Sequence, residues 1–313
     1  MLFQTLNQAA RDNLYARAKN KTISLPEGQD ERVIKASEIL KKELNIKSIL
    51  GNATESEKNK NSTLAIMNKI AEKKGKTLSP AMEKMAIDTT FEGGALLALG
   101  EVDAVVSGCL NSTAHVIRAA LNTVGLKQNT KVITSAFLLA LPKPTPGGES
   151  LVLFSDCGVI PQPSSAELSD IAFLSQEAFA NWSGSTPNVS FLSFSTTGSA
   201  EHPDVQKVRD AFQLFHEKHP NIVAEGEVQF DTAVVPTVAA KKNPNGKVQG
   251  RTNVFIFPDL DSGNIGYKIT QRIGGADAWG PILLGSAKPF SDLSRGASAE
   301  DIVHAAILTL ALS

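Results

Sequence analysis

From Thr22 onward the chain repeats one local pattern, a short apolar run of strand character, a small polar turn, then a helix-length stretch with apolar residues three and four apart. TISLP leads through EGQDE into RVIKASEILKKE and on to KSIL; VDAVVSG leads into STAHVIRAAL; VSFLSFS precedes VQKVRDAFQLFHEK; NVFIFP precedes IGYKITQRI. Strands that read as near-continuous apolar runs are those of a sheet covered by helices on both faces. The fold class is therefore α/β. The segment ahead of the first strand, MLFQTLNQAARDNLYARAKN, lacks the uninterrupted apolar core of a signal peptide and reads as an amphipathic helix. No repeat of fixed period runs through the sequence.

At 313 residues the chain has length for one large or two ordinary domains. The clear break in composition is LPKPTPGGES at 141–150, too rich in Pro and Gly for an element interior, which reads as a crossing between domains. GSAKPFSD at 285–292 reads as the return. The expected division is one α/β domain from 1–143 plus 287–313, completed by the C-terminal helix, and a second from 144–286. SDLSRGASAED, at 291–301, then falls at the mouth of a cleft between two domains, a common place for ligand sites.

Composition narrows the ligand. The net charge is −1 and no long basic block occurs, which speaks against a sequence-independent grip on nucleic acid but leaves small anions open. Cys109 and Cys157 form no C-x-x-C pair, so neither a disulfide framework nor a zinc site is expected and a reducing, cytoplasmic setting fits. No stretch is long and apolar enough to span a bilayer. GKT at 75–77 has Ile70 where a P-loop needs glycine, no G-x-G-x-x-G marks a nicotinamide site, and no G-x-S-x-G elbow marks an acyl-serine hydrolase.

Three strands run into loops rich in Ser, Thr, Asn and Gly: SGCLNST at 107–113, STTGSA at 195–200 and DLDSGN at 259–264. Such loops at helix starts can offer free N–H groups to a phosphate, or can simply cap the helix. Arg118 sits on the helix after the first of them; His115, one turn earlier, reads as a partly exposed helix residue. Ser298 with Asp301 has the S-x-x-D form of a capping box ahead of the apolar run IVHAAILTLAL. A cap gives no reason for Ser294 and Arg295. A guanidinium can hold a phosphate bidentately, a hydroxyl can donate to a developing oxyanion or orient a thiol, and a nearby carboxylate can take a proton. Ser294, Arg295 and Asp301 together suit acyl transfer between phosphate and another nucleophile.

With these residues in place the chain resembles the phosphate acetyltransferases of the phosphate acetyl/butyryltransferase family. The resemblance is carried by LPEGQDERVIKAS, VDAVVSGCLNSTAHVIRAAL, LVLFSDCGVIPQPSSAELSDIA, FLSFSTTGSA, GEVQFDTAV, NVFIFPDLDSGNIGYKITQR and KPFSDLSRGASAEDIV. It implies two α/β domains in the arrangement of isocitrate and isopropylmalate dehydrogenases, a CoA site in the cleft, a homodimer, no metal, and a role in acetate metabolism. The implied reaction is acetyl-CoA plus phosphate giving acetyl phosphate plus CoA. Asp301 would be the base that deprotonates the CoA thiol, Arg295 and Arg118 would bind the phosphoryl group, and Ser294 would hydrogen-bond the reacting thiol or carbonyl. The family's further arginine before a K-G-x-T turn has no counterpart in AEKKGKT, where Lys73 and Lys74 stand instead. Two alternatives stay open, a phosphate butyryltransferase and a non-catalytic acetyl-CoA-binding domain like the one fused to some malic enzymes.

Overall fold

Most of the polar turns between the apolar runs start helices, because they place an Asp, Asn or Ser where its side chain accepts from the free N–H groups of the first helical turn. The computed structural model describes residues 2–313, beginning with α1 (Gln8–Ala18), β1 (Thr22–Leu25), α2 (Glu31–Leu44), β2 (Lys47–Leu50), α3 (Ala53–Lys58), α4 (Lys60–Lys73) and α5 (Pro80–Glu83). A short 3-10 helix (Lys84–Ile87), α6 (Thr89–Leu99), β3 (Ala104–Ser107), α7 (Thr113–Thr123), β4 (Thr134–Ala140), β5 (Leu151–Ser155) and α8 (Ser165–Ser183) follow. Then come β6 (Val189–Leu192), α9 (Pro203–Lys218), β7 (Ala224–Val228), α10 (Phe230–Val234), α11 (Pro236–Lys242) and β8 (Val254–Ile256). The chain closes with α12 (Leu260–Arg272), β9 (Asp277–Leu284), β10 (Phe290–Asp292) and α13 (Ala299–Leu310). Asp30, Asn52, Asp88, Ser112, Ser164, Asp259 and Ser298 all cap the helices that follow them.

The chain divides into two compact units. One comprises Leu14–Ile133 and Ile282–Ser313, built on a four-stranded parallel sheet in the order β10-β3-β1-β2. Every residue of β3 is buried, while β2, at the sheet edge, is only half covered. Helix α13 packs on α2 and β3 and buries Ile302, Val303, Ala306 and Ile307. The other unit joins residues 2–13 to Thr134–Pro281 around a six-stranded sheet in the order β7-β6-β8-β5-β4-β9. Its core is aromatic, with Phe154 edge-on to Phe255 at 5.2 Å and Phe137 stacked on Tyr267 at 3.9 Å.

The boundaries differ from those the composition suggested. LPKPTPGGES is the loop of a β-hairpin inside one sheet: β4 and β5 pair antiparallel from Ala136↔Ser155 to Ala140↔Leu151, and the Leu141 N–H donates to the Ser150 carbonyl at 2.8 Å. Proline and glycine meet the needs of a turn as well as those of a linker, and β4 follows its ladder partner. Residues 2–13 also leave the expected domain, since Asn13 Nδ2 donates to the carbonyls of Asn181 and Trp182 at 2.7 and 3.1 Å. At the other end the division falls at 281/282 rather than 286/287.

Candidate active site

Because β1, β3 and β10 run parallel, their carboxyl ends open on one edge of the sheet, and strand order reverses between β1 and β3. That is where α/β sheets place ligands. Three segments leave this edge: Pro26-Glu27 from β1, Gly108–Asn111 from β3, and Leu293–Ala297 from β10.

Glu27 decides the shape of the second segment. Its buried carboxylate accepts from the Gly108 and Cys109 N–H groups at 2.9 and 3.0 Å on Oε2. Oε1 accepts from the Leu110 and Asn111 N–H groups at 2.9 and 3.1 Å and from Asn111 Nδ2 at 3.0 Å. The donors that SGCLNST could have offered a phosphate, on one of the two readings of that loop, are thus taken by the protein's own carboxylate. The Cys109 thiol, buried and donating to the same Oε2 at 2.9 Å, is pushed well above the usual thiol range by burial and then by Glu27. STTGSA, in the other unit, is filled likewise: Glu227 accepts from Gly198 N and Ser195 Oγ at 3.0 and 2.9 Å while Arg209 grips it through Nε and Nη2. DLDSGN is an ordinary cap, Ser262 N–H donating to Asp259 Oδ1 at 2.8 Å.

Arg32, which the sequence patterns did not single out, ties two of the three segments together. Nη1 donates to the carbonyls of Arg295 and Ala297, both at 2.9 Å, and Nη2 to the carbonyl of Cys109 at 3.2 Å. Asp30, the N-cap of α2, holds the guanidinium through Nε and Nη2 at 2.9 and 2.7 Å. A signal was available, since an arginine in the first turn of a helix faces the unfavourable end of the dipole and needs a reason to be there.

The expected site residues Ser294, Arg295 and Asp301 lie on one exposed stretch between β10 and α13. The Arg295 carbonyl is fixed by Arg32, whereas its guanidinium has no hydrogen-bond or ion-pair partner among the described residues. Ser294 Oγ accepts weakly from Gly296 N at 3.3 Å. The capping box is formed: Asp301 Oδ2 accepts from Ser298 N and Oγ at 2.9 and 2.8 Å, and Ser298 Oγ accepts from Asp301 N at 3.2 Å. Both cap contacts fall on Oδ2. Arg118 is exposed on α7 with its guanidinium likewise unpaired among the described residues, and no hydrogen bond or ion pair joins it to Ser294, Arg295 or Asp301. His115 is partly buried, with Nε2 3.2 Å from Asp88 Oδ1. Lys74, in the stretch that lacks the expected arginine, donates to the Leu121 carbonyl of α7 at 2.7 Å.

A second carboxylate was also missed. Asp292, the last residue of β10 and 3% exposed, accepts from Thr113 Oγ1 on Oδ2 at 2.5 Å. Its Oδ1 has no hydrogen-bond partner among the described residues. Burial raises the group to about 6. A Cβ on Gly108 would come within 2.3 Å of Oδ1, and Gly108 has φ +127°, so glycine is required there.

Two unpaired guanidinium groups, an exposed serine and an exposed carboxylate are groups of the kind that hold a phosphoryl group and move a proton. The family model for Phosphate acetyl/butaryl transferase matches residues 1–310. The chain belongs to that family. Among its similar members is the phosphate acetyltransferase of Acetivibrio thermocellus, 39% identical over 95% of this chain and 96% of that one. The phosphotransacetylase structure from Streptococcus pyogenes matches with 36% identity and a TM-score of 0.86, covering 98% of each chain. The EutD phosphotransacetylase from Staphylococcus aureus matches with 34% identity and a TM-score of 0.84, covering 97% of this chain and 99% of that one. The chain is accordingly a transferase, and its fold is the dehydrogenase-like α/β fold of these phosphotransacetylases.

Proposed function

We propose that this phosphate acetyl/butaryl transferase family member moves acetyl reversibly between CoA and inorganic phosphate, with Asp301, Ser294, Arg295 and Arg118 as its reacting and binding groups. The likeness to phosphate acetyltransferases over nearly the whole chain carries the reaction. The residue roles rest on a narrower observation, the unpaired guanidinium of Arg295 on a loop that Arg32 fixes through its backbone.

In this reading acetyl phosphate sits with its phosphoryl oxygens on Arg295 and Arg118. Asp301 takes the proton from the CoA thiol, the thiolate attacks the acetyl carbonyl, and Ser294 donates to the carbonyl oxygen as charge gathers there. Phosphate leaves still held by the arginines. The transfer is direct, so no side chain is acylated. Asp301 keeps its place because Oδ2 is fixed in the cap, which leaves Oδ1 outside the cap's hydrogen bonds.

The reading extends to a homodimer in a reducing cytoplasm. Phe194, Phe230, Ile265, Ile269 and Ile273 are exposed on one unit, three of them lining a mostly apolar groove of about 570 Å3. Exposed apolar surface of this kind suits a second copy. Both cysteines are free and buried, as suits a reducing compartment. Among the described residues no helix is long and apolar enough to cross a membrane.

The test is thioester formation by purified protein from CoA and a series of acyl phosphates. Acetyl phosphate should turn over faster than butyryl phosphate. Equal or faster turnover of butyryl phosphate would make the chain a phosphate butyryltransferase, and no turnover of any acyl phosphate would leave a binding domain.

A further inference from the structure

We propose that Asp292 and Thr113 form a positioning pair that sets the helix bearing Arg118 against the loop bearing Ser294 and Arg295, and thereby governs the grip on the phosphoryl substrate. This rests on the assignment of those three residues to the substrate site. The geometry is direct. Asp292 is the last residue of β10, held in register with Ser107 of β3, and two residues later the chain reaches Ser294. Thr113 is the first residue of α7, and its hydroxyl donates to Asp292 Oδ2. This bond joins the two arginine-bearing segments through side chains in a single step.

The bond is charge-assisted only while Asp292 is ionised. The carboxylate is buried, its Oδ1 lacks a partner among the described residues, and Gly108 packs so closely on it that no side chain could intervene. Burial is the main force raising the group to about 6, Glu27 adds to it, and the Thr113 hydroxyl and the Leu293 N–H oppose it. Other ionisable groups on the surrounding segments are Cys109 after β3, and His115 and Arg118 on α7. On α13 they are Glu300, Asp301 and His304. β3 itself carries none. As pH falls through 6 Asp292 gains its proton, the Thr113 bond weakens to a neutral one, and the two segments lose their fixed spacing.

The experiment measures kcat and KM for acetyl phosphate and for CoA against pH in the wild type, Asp292→Asn, Thr113→Val and Thr113→Ser, with Arg295→Lys in parallel. Asp292→Asn and Thr113→Val are expected to raise the acetyl phosphate KM about ten-fold, the worth of one hydrogen bond to a charged group, while the CoA KM stays nearly unchanged. Thr113→Ser should restore it. The acid limb of kcat/KM should vanish in Asp292→Asn and move to higher pH in Thr113→Val, because the hydroxyl that lowers the carboxyl is gone. Thr113 is exposed, so its variants fold even if a change at Asp292 does not. If Arg295→Lys raises the acetyl phosphate KM while Thr113→Val does not, the pair has no positioning role and the site assignment stands. If Arg295→Lys leaves that KM unchanged as well, the site assignment falls and this inference with it. An acid limb that persists unaltered in Asp292→Asn also overturns the proposal.

Discussion

A substitution separates the base role proposed for Asp301 from the cap it forms with Ser298. As the proposed base it would contribute rate, and Asp301→Asn should cost on the order of 10²–10⁴ in kcat, the usual share of general acid–base catalysis. As a cap it contributes stability, and Ser298→Ala, which removes the reciprocal hydroxyl, should cost ~1 kcal/mol with little loss of rate. Melting curves and initial rates on both variants decide; near-normal turnover in Asp301→Asn with a lowered Tm would leave Asp301 as a cap alone. Residues of this kind were legible in the sequence because their surroundings are local: the capping box is a spacing of three, and Ser294-Arg295 stands out beside it. Glu27, Arg32 and Asp292 were not, since what defines them is a partner far away in the chain. Arg32 meets Arg295 and Glu27 meets Cys109 only after the sheet has formed.

At the scale of the element, the alternation of strand and helix was readable because its apolar runs have the right length and α2, α3, α7, α8, α12 and α13, each entered from a strand, open on an Asp, Asn or Ser cap. Loops were harder. SGCLNST has the composition of an anion seat and is one, but the anion is Glu27; a carboxylate from a neighbouring strand end satisfies N–H groups as well as a phosphate does. LPKPTPGGES failed for a related reason, as a hairpin and a linker ask for the same residues and only the pairing of β4 with β5 distinguishes them. The close fit of β10 on the loop after β3 gives this scale its prediction. Gly108→Ala puts a methyl 2.3 Å from Asp292 Oδ1 and 2.6 Å from Leu293 N at a positive φ, so it should destabilise by about 2–3 kcal/mol. Activity should fall with it, because the displaced segment leads into Ser294 and Arg295. Chemical denaturation giving wild-type stability for Gly108→Ala would show that the two segments are free to part.

For the whole molecule, the division into units differs from the expected one at its edges, by the ten residues 134–143, where β4 pairs with β5, and by an N-terminal segment that docks through Asn13 and through Phe3 edge-on to Trp279 at 4.9 Å. Assembly is tested by charge. If the proposed dimer forms through the apolar groove, Ile269→Asp, at a half-exposed position lining it, should convert dimer to monomers in sedimentation without unfolding the chain; a species unchanged from the wild type would show that this groove is not a dimer interface. The central claim is direct acetyl transfer between phosphate and CoA, and the most direct measurement is exchange of isotopically labelled inorganic phosphate into acetyl phosphate, with and without CoA. Direct transfer predicts that label enters acetyl phosphate only when CoA is present, because acetyl must pass to the thiol before phosphate can return. Label entering at a comparable rate without CoA would mean that a side chain of the protein carries the acetyl group, and would contradict the mechanism.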